Sequence, residues 1–293
     1  MIAHIAQADE HRGRVVLWLG TEAEPQETAV DAAFTLAQAF ESEIESVFIE
    51  DRQLFDLAGL PFAREIPLSG RGTRRMTVEA LERDLIAHAA ALQRQVRLRA
   101  GASDVKIKTR ALRAEPVQAL ANVCAENGPW NVLTVASASR DANGTGHVGV
   151  GLSQLFETVH ATTGIVVAGP KAKRTHGPVI AVIEELERAV PMMRAAERIA
   201  TTTGGDVRLW LLEHDEARQD WIEGQIRLAL GDTQGLNFKV IDMSAHTPLS
   251  VAGMMRHAGA GFVLTRFGGM LARREQDVAP FAEQLDGPLF LVR

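Results

Sequence analysis

The strongest constraint on the fold of this chain is that its two halves repeat one pattern. Each half begins with an apolar strand, a loop, an amphipathic helix and a second apolar strand, and the polarity patterns agree without a gap. Three segments of the first half resemble segments of the second: 14–51 and 178–215, 115–135 and 247–266, and 156–168 and 281–293. The middle pair shares a Val-Leu-Thr triplet. A long internal repeat is one folding unit used twice, so the sequence predicts two similar halves.

Short apolar runs alternate with amphipathic helices throughout both halves. Such β-α-β order produces a parallel sheet covered by helices on both faces, and right-handed crossovers make each half doubly wound. The fold class is therefore α/β, with two tandem doubly wound parallel-sheet domains. The candidate strands are 14–20, 44–50, 105–111, 131–137 and 164–168 in the first half, and 178–183, 207–213, 237–242, 262–266 and 288–292 in the second.

The two predicted domains meet at a linker rich in Gly, Pro and Lys, residues 169–177. We expect the first domain to span residues 1–170 and the second, shorter domain to span residues 177–293. The pattern thus predicts an internal pseudo-dimer within one chain.

The first half carries an insertion at about residues 53–100, between its second and third strands. Apolar residues recur there every three or four positions from Thr77 to Arg99, which predicts one long amphipathic helix. The preceding segment, residues 54–63, is unusually apolar for a connection. It either packs as a lid on the long helix or forms a surface for a protein partner or a second copy.

Composition and charge exclude several classes of protein. The net charge of −6 disfavours a nucleic-acid-binding surface. The first residues lack the apolar core of a signal peptide, and no run of about 18 apolar residues occurs. We therefore expect a cytoplasmic protein with neither a membrane nor a nucleic acid as partner. Neither a P-loop nor a G-x-S-x-G motif is present, and the nine histidines show no metal-site spacing.

A few other residues are candidates for chemistry. Cys124 is the single cysteine, and its place on an amphipathic helix predicts a buried, inert thiol. Glu50 and Asp51 end the second strand, and His214 and Asp215 hold the same places in the second half. These strand-end residues could bind a ribose or simply cap the next helix, and the sequence leaves both interpretations open.

The two halves resemble the universal stress protein family in its tandem form. The resemblance rests on the repeated five-strand unit, on the strand end SVFIED at residues 46–51, and on the closing helix and strand GLSQLFETVHATTGIVVAG at residues 151–169. It implies a sheet order of 3-2-1-4-5 in each half and pairing of the halves through their last strands. It also implies ATP or AMP as the ligand of some members.

The glycine-rich loop NGTGHVGVGLS, residues 143–153, follows the fourth strand. Glycine lets a backbone approach a phosphate closely, and ligands of open α/β sheets bind at the strand-order switch, where this loop lies. Gly144, Gly146 and Gly149 match G-x-G-x-x-G. A dinucleotide site, however, needs its glycines directly after the strand and an acid about 20 residues later. The strand at residues 164–168 contains no acid, which disfavours a dinucleotide.

Family members that bind ATP carry G-x2-G-x9-G-[S/T] in this loop. Counting back from the closing helix places Gly151 on the last glycine, with Leu152 where a hydroxyl residue is usual. The earlier glycines then fall on Ala138 and Asp141, unless the loop is shifted. With a shifted loop, the nucleotide-binding residues are Gly146, Gly149, Gly151 and Ser153.

The opposite wall of the predicted site is acidic. Where ATP-binding members end the first strand with an aspartate, this chain has Leu19 and Gly20, followed by Glu22, Glu24 and Glu27. Carboxylates that face a triphosphate repel it. The resemblance therefore implies a degenerate nucleotide site, with no firm cofactor.

Three functions fit the sequence. The first is a universal-stress-type binding or regulatory module that is not an enzyme. The second is an ATP- or AMP-binding member that uses the loop at residues 144–153, with slow ATPase activity. The third is a small-molecule sensor in the groove between the halves. The predicted partners are the internal pseudo-dimer, a second copy, or a protein that docks on residues 54–63.

Overall fold

The computed structural model describes residues 13–19, 27–66, 72–101, 103–126, 128, 130–136, 152–213, 216–230 and 237–293. In the first half the strands are β1 (Val15–Leu19), β2 (Ile44–Asp51), β3 (Arg64–Glu65), β4 (Arg74–Arg75), β5 (Ile107–Ala114), β6 (Asn131–Ala136) and β7 (Thr162–Ala168). The helices of this half are α1 (Glu27–Ala39), α2 (Arg52–Ala58), α3 (Val78–Ala100), α4 (Pro116–Glu126) and α5 (Leu152–Thr158).

The second half has the same order of elements with a shorter connection after its second strand. Its strands are β8 (Val179–Ile183), β9 (Val207–Glu213), β10 (Asn237–Asp242), β11 (Phe262–Arg266) and β12 (Leu289–Val292). Its helices are α6 (Leu186–Thr203), α7 (Glu216–Leu230), α8 (Pro248–His257) and α9 (Glu275–Gln284). The α/β class predicted from the alternating pattern is confirmed.

One ten-stranded sheet runs through the molecule in the order β10-β9-β8-β11-β12-β7-β6-β1-β2-β5. Each half contributes five parallel strands in the order 3-2-1-4-5, as the resemblance implied. The halves join where β7 and β12 pair in antiparallel fashion, and this pairing is named here the seam. Val166 pairs with Phe290 at the centre of this seam, between the pairs Ile165–Leu291 and Val167–Leu289, so a local two-fold axis relates the halves there.

The strand registers show that the Val-Leu-Thr triplets of the two halves are not equivalent. Val15 on β1 lies beside Val132 on β6. The counterpart of Val15 is Val179 on β8, because both pack into the core on the same face of the sheet, and Val179 lies beside Phe262 on β11. Val132 is therefore equivalent to Phe262 and not to Val263. Aligning the triplets slips the fourth strand by one residue, which would turn every side chain to the opposite face. The ungapped match of 14–51 with 178–215 is wrong for the second strand, because Val15 lies beside Ile44 and Val179 beside Val207, one residue earlier than that match requires.

Two helical layers cover the sheet, and each contains helices of both halves. Buried side chains of α1, α3, α6 and α7 form the core on one face. Those of α4, α5, α8 and α9 form the core on the other. The apolar face predicted for the long helix is confirmed on α3, which begins after its N-cap Thr77 and buries Leu85, Ala89, Leu92 and Val96.

The linker between the halves is held by hydrogen bonds to both of them. The Thr28 hydroxyl of α1 donates to the carbonyl of Ala172 over 2.7 Å. The backbone N–H groups of Lys173 and Arg174 donate to the carbonyl of Asp286 over 2.8 and 3.2 Å. Because the linker is hydrogen-bonded to both halves, it strengthens the contact between them.

Gly164 at the seam gives a direct test of how closely the halves approach. A Cβ atom there would overlap the carbonyl of Leu291 and the ring of Phe290. We expect Gly164→Ala to lower the free energy of unfolding by about 1–3 kcal/mol, as overpacking does. Urea unfolding followed by circular dichroism measures this.

The matched control is Gly224→Ala in α7, where a Cβ would meet no atom within 4 Å. Because alanine favours a helix more than glycine does, we expect this variant to gain about 0.5–1 kcal/mol. Equal changes in both variants would contradict a tightly packed seam.

Candidate functional site

The crevice of the first half lies between β1 and β6, where the order of strands reverses. Of the predicted nucleotide-binding residues, Ser153 is the second residue of α5. Gly146, Gly149 and Gly151 lie outside the described residues, as do Glu22 and Glu24 on the opposite wall.

A carboxylate of the second half contacts the start of α5. The backbone N–H of Ser153 donates to Glu275 Oε2 over 3.4 Å, a long hydrogen bond. Glu275 is the first residue of α9. The contact is supported nearby, where the rings of Phe156 and Phe267 stack with centroids 4.4 Å apart. The helix end that the sequence assigned to phosphate therefore contacts an acid of the other half.

Arg293, which directly follows β12, forms three hydrogen bonds with the segment that includes α5. Its guanidinium donates to the carbonyl of Phe156 and, over 3.1 Å, to that of His160. Its backbone N–H donates to Thr163 O over 3.1 Å. The position of α5 thus depends on contacts that come from the second half.

The equivalent crevice of the second half lies between β8 and β11 and contains the side chain of Glu184. The loop after β11, residues 267–271, lies against this carboxylate. The backbone N–H of Met270 donates to Glu184 Oε1 over 2.9 Å. Gly269 permits the close approach, since a Cβ there would overlap the carboxylate.

Charged neighbours surround Glu184 without pairing with it directly. Arg266 at the end of β11 forms an ion pair with Glu185, and Arg188 Nε lies 3.4 Å from Glu185 Oε2. Burial raises the pKa of Glu184, and the repulsion of Glu185 adds to this rise. The bond from Met270 and the charge of Arg266 oppose it.

The insertion of the first half is anchored by Arg113 on the edge strand β5. Its guanidinium binds Glu50 Oε2 over 2.8 Å and Glu82 Oε1 over 2.7 Å. It also lies 3.8 Å from the centre of the Phe55 ring. One side chain therefore ties α2 and α3 to the ends of β2 and β5.

Part of the apolar segment at residues 54–63 packs against the core, and the rest of it is exposed. Phe55 packs against the core below α3. Beyond it, Leu57, Leu60 and Phe62 are 47, 39 and 73% exposed, and Ile66 is 74% exposed. The lid interpretation therefore fits Phe55, whereas four apolar side chains that follow it in the chain are exposed and are named here the insertion patch (Leu57, Leu60, Phe62 and Ile66).

The other candidate residues that the structure describes are a helix cap and a buried thiol. Asp51 caps α2 by accepting a hydrogen bond from Gln53 N, while His214 and Asp215 lie outside the described residues. Cys124 is buried, and burial raises its pKa to about 12, so the thiol is protonated at neutral pH.

Among the described residues no three His, Cys, Asp or Glu side chains are grouped to hold a metal, and none of the described helices is long and apolar enough to span a bilayer.

We expect Arg113→Ala to release α2 from the sheet. The variant loses the bonds to Glu50 and Glu82 and the stacking on Phe55, so the amides of residues 52–60 should exchange at least about tenfold faster with solvent deuterium. Hydrogen exchange with mass spectrometry measures this. The control is Arg97→Ala, because Arg97 bonds a carbonyl of its own helix. Unchanged exchange in α2 would show that Arg113 does not anchor it.

The raised pKa of Glu184 predicts how stability depends on pH. The unfolded carboxyl ionises near 4.5, whereas the folded one retains its proton to higher pH. Between the two values the folded state binds more protons, so the unfolding free energy falls as the pH rises. Glu184→Gln removes this contribution.

Urea unfolding of Glu184→Gln and of the unsubstituted protein across this pH range tests the direction of the pKa shift at Glu184. The stability of Glu184→Gln relative to the unsubstituted protein should rise as the pH increases from about 4.5 towards neutrality. Parallel curves for the two proteins would refute a raised pKa at Glu184.

Several solved structures share the fold over nearly the whole chain. A universal stress protein from Archaeoglobus fulgidus DSM 4304 aligns with a TM-score of 0.57 and 14% identity, over 97% of this chain and 98% of that one. A functionally unknown protein from Pseudomonas aeruginosa PAO1 aligns with a TM-score of 0.55 and 11% identity, over 97 and 94%. The cytoplasmic domain of a prokaryotic cation chloride cotransporter aligns with a TM-score of 0.53 and 9% identity, over 95% of each chain.

No protein-family model and no curated protein matches the sequence. The structural likenesses agree with the two half-sheets of order 3-2-1-4-5 and with their pairing through the last strands. The chain therefore has the tandem fold of the universal stress proteins.

Proposed function

We propose that this protein is a binding or regulatory module of the universal stress type, without enzymatic activity, whose nucleotide site is degenerate. The observation that carries the proposal is the Glu184 carboxylate in the crevice of the second half, which accepts a hydrogen bond from the backbone of Met270. A phosphate group in this place would have to displace the carboxylate and would be repelled by it.

The first half supports the same function. Glu275 reaches the N–H of Ser153 at the start of α5, and a helix start is where a phosphate gains most from backbone N–H groups. Acids thus lie at the crevices of both halves.

We further propose that the module acts through a protein partner that docks on the insertion patch. Phe62 and Ile66 are each more than 70% exposed, and burying such side chains stabilises a complex by about 1.5–3 kcal/mol each. The flanking Arg64 and Arg75 are exposed as well. In an isologous dimer each patch would meet its own copy, and the arginines would repel, so an acidic partner fits better than a second copy.

The experiment that tests the main proposal is calorimetric titration with ATP, ADP and AMP, together with analysis of the purified protein for bound nucleotide. We expect no saturable binding and no co-purified nucleotide, because carboxylates lie at both crevices. Gly149→Val serves as the paired variant and should behave in the same way.

Micromolar binding that disappears in Gly149→Val would contradict the proposal. It would support the competing function, in which the loop at residues 144–153 binds ATP or AMP. Steady-state phosphate release then separates a binding protein from a slow ATPase, and binding that persists in Gly149→Val points to another site, such as the groove between the halves.

A further inference from the structure

The outer face of α7, which is turned away from the sheet, carries two large apolar side chains. Trp221 and Leu228 are 57 and 76% exposed, whereas Ile222 and Ile226 of the same helix are buried in the core. Residues seven apart lie on one face of a helix, so the tryptophan and the leucine share that face. Large apolar side chains that are exposed together, instead of singly, mark a contact with another molecule.

Gly224 lies between these two side chains and completes what is named here the α7 row (Trp221, Gly224 and Leu228). The glycine is exposed, and a Cβ on it would meet no atom within 4 Å. A glycine inside a helix lowers the stability of that helix. Here it leaves the middle of the row low enough for the backbone of a crossing helix to approach.

The charges beside the α7 row come as one acid and one base. Asp220 and Arg227 are also seven residues apart, so they line the same side of the row, and both are exposed. The Arg227 guanidinium is held in place, because it bonds Glu223 Oε1 over 2.6 and 2.9 Å and lies 4.3 Å from the centre of the Phe238 ring. A side chain that is already held loses less conformational entropy when another molecule binds it.

This arrangement of charges matches a second copy of itself. When two α7 helices cross in antiparallel direction near Gly224, a two-fold axis places Asp220 of each copy beside Arg227 of the other. Two opposite-charge pairs then flank one apolar contact. Because this side of the row has no net charge, it does not favour an acidic or a basic protein, in contrast to the arginines beside the insertion patch.

The unequal lengths of the two halves leave the outer face of α7 uncovered. In the first half, α2 of the insertion packs against α3 in the connection between the second and third strands. The shorter second half has the single helix α7 in that connection. The tandem chain therefore presents one α7 row, and an isologous contact through it closes at two copies.

We infer that the α7 row is a self-association surface, through which two copies of this chain form a two-fold dimer. The inference goes beyond the proposed function, since it concerns neither crevice. The insertion and α7 adjoin the strands at opposite ends of the ten-stranded sheet. A dimer through α7 therefore keeps the insertion patch of each copy open to its partner.

Sedimentation equilibrium over a range of protein concentrations measures the dissociation constant of this dimer. Because one pair of helices buries less surface than a standard interface, we expect a dissociation constant in the micromolar range. Trp221→Ala and Leu228→Ala should each raise it at least about thirtyfold, because a substitution in an isologous interface occurs twice.

Two matched variants remove the same side chains at other exposed places. Trp130, just before β6, is 58% exposed, and Leu98 near the end of α3 is 73% exposed. Trp130→Ala and Leu98→Ala should leave the dissociation constant unchanged. Circular dichroism checks that all four variants are folded.

Reversal of the charges tests the antiparallel geometry. Asp220→Arg places two arginines together across the axis on both sides, so it should weaken the dimer at least about fivefold. Adding Arg227→Glu to Asp220→Arg restores opposite charges and should recover most of the affinity. A helix that was merely destabilised by the first substitution would not be rescued by the second.

An unsubstituted protein that stays monomeric at about 0.5 mM would overturn the inference. A dimer that survives both Trp221→Ala and Leu228→Ala would overturn it as well, since another surface then joins the copies. Failure of Arg227→Glu to rescue Asp220→Arg would refute the two-fold arrangement. A dimer weakened by the α7 substitutions, rescued by the reversed pair and unaffected by the matched variants supports the inference.

Discussion

The antiparallel pairing of β7 with β12 is the contact on which the rest of the structure depends. It merges two parallel half-sheets into one sheet and covers the edge that each fifth strand would otherwise expose. It also brings Phe267 onto Phe156 and Glu275 to the start of α5. The crevice of the first half is thus shaped in part by the second half, and a change at the seam alters both the sheet and the candidate site.

Fusion of two halves in one chain explains why their crevices differ. In a dimer of identical subunits, any substitution appears in both sites. Here each half changes separately. The second half places Glu184, which directly follows its own first strand, against its own loop, whereas the first half receives Glu275 from across the seam. Both arrangements put a carboxylate where backbone N–H groups attract a phosphate, but they reach that result by different routes.

The strands were predictable from sequence because buried parallel strands are continuous apolar runs. The same property hid the register of the fourth strand, since both of its faces are buried and a one-residue slip leaves the polarity pattern unchanged. Val132 therefore appeared equivalent to Val263, although its true counterpart is Phe262. The strand order itself came from the family resemblance. The contact of Glu184 with Met270 joins residues far apart in the chain, so only folding reveals it.

The insertion shows most clearly how the two halves have diverged. Arg113 fixes its base through Glu50, Glu82 and Phe55, so the insertion patch beyond it is held on an ordered support. Such support matters for binding, because a surface that is already ordered loses less conformational entropy when a partner docks. The shorter second half has the single helix α7 between its second and third strands, and there Arg218 of the helix pairs with Glu213 at the end of β9 over 2.8 Å. A partner that recognises the insertion would therefore bind the pseudo-dimer on one half, in a fixed orientation.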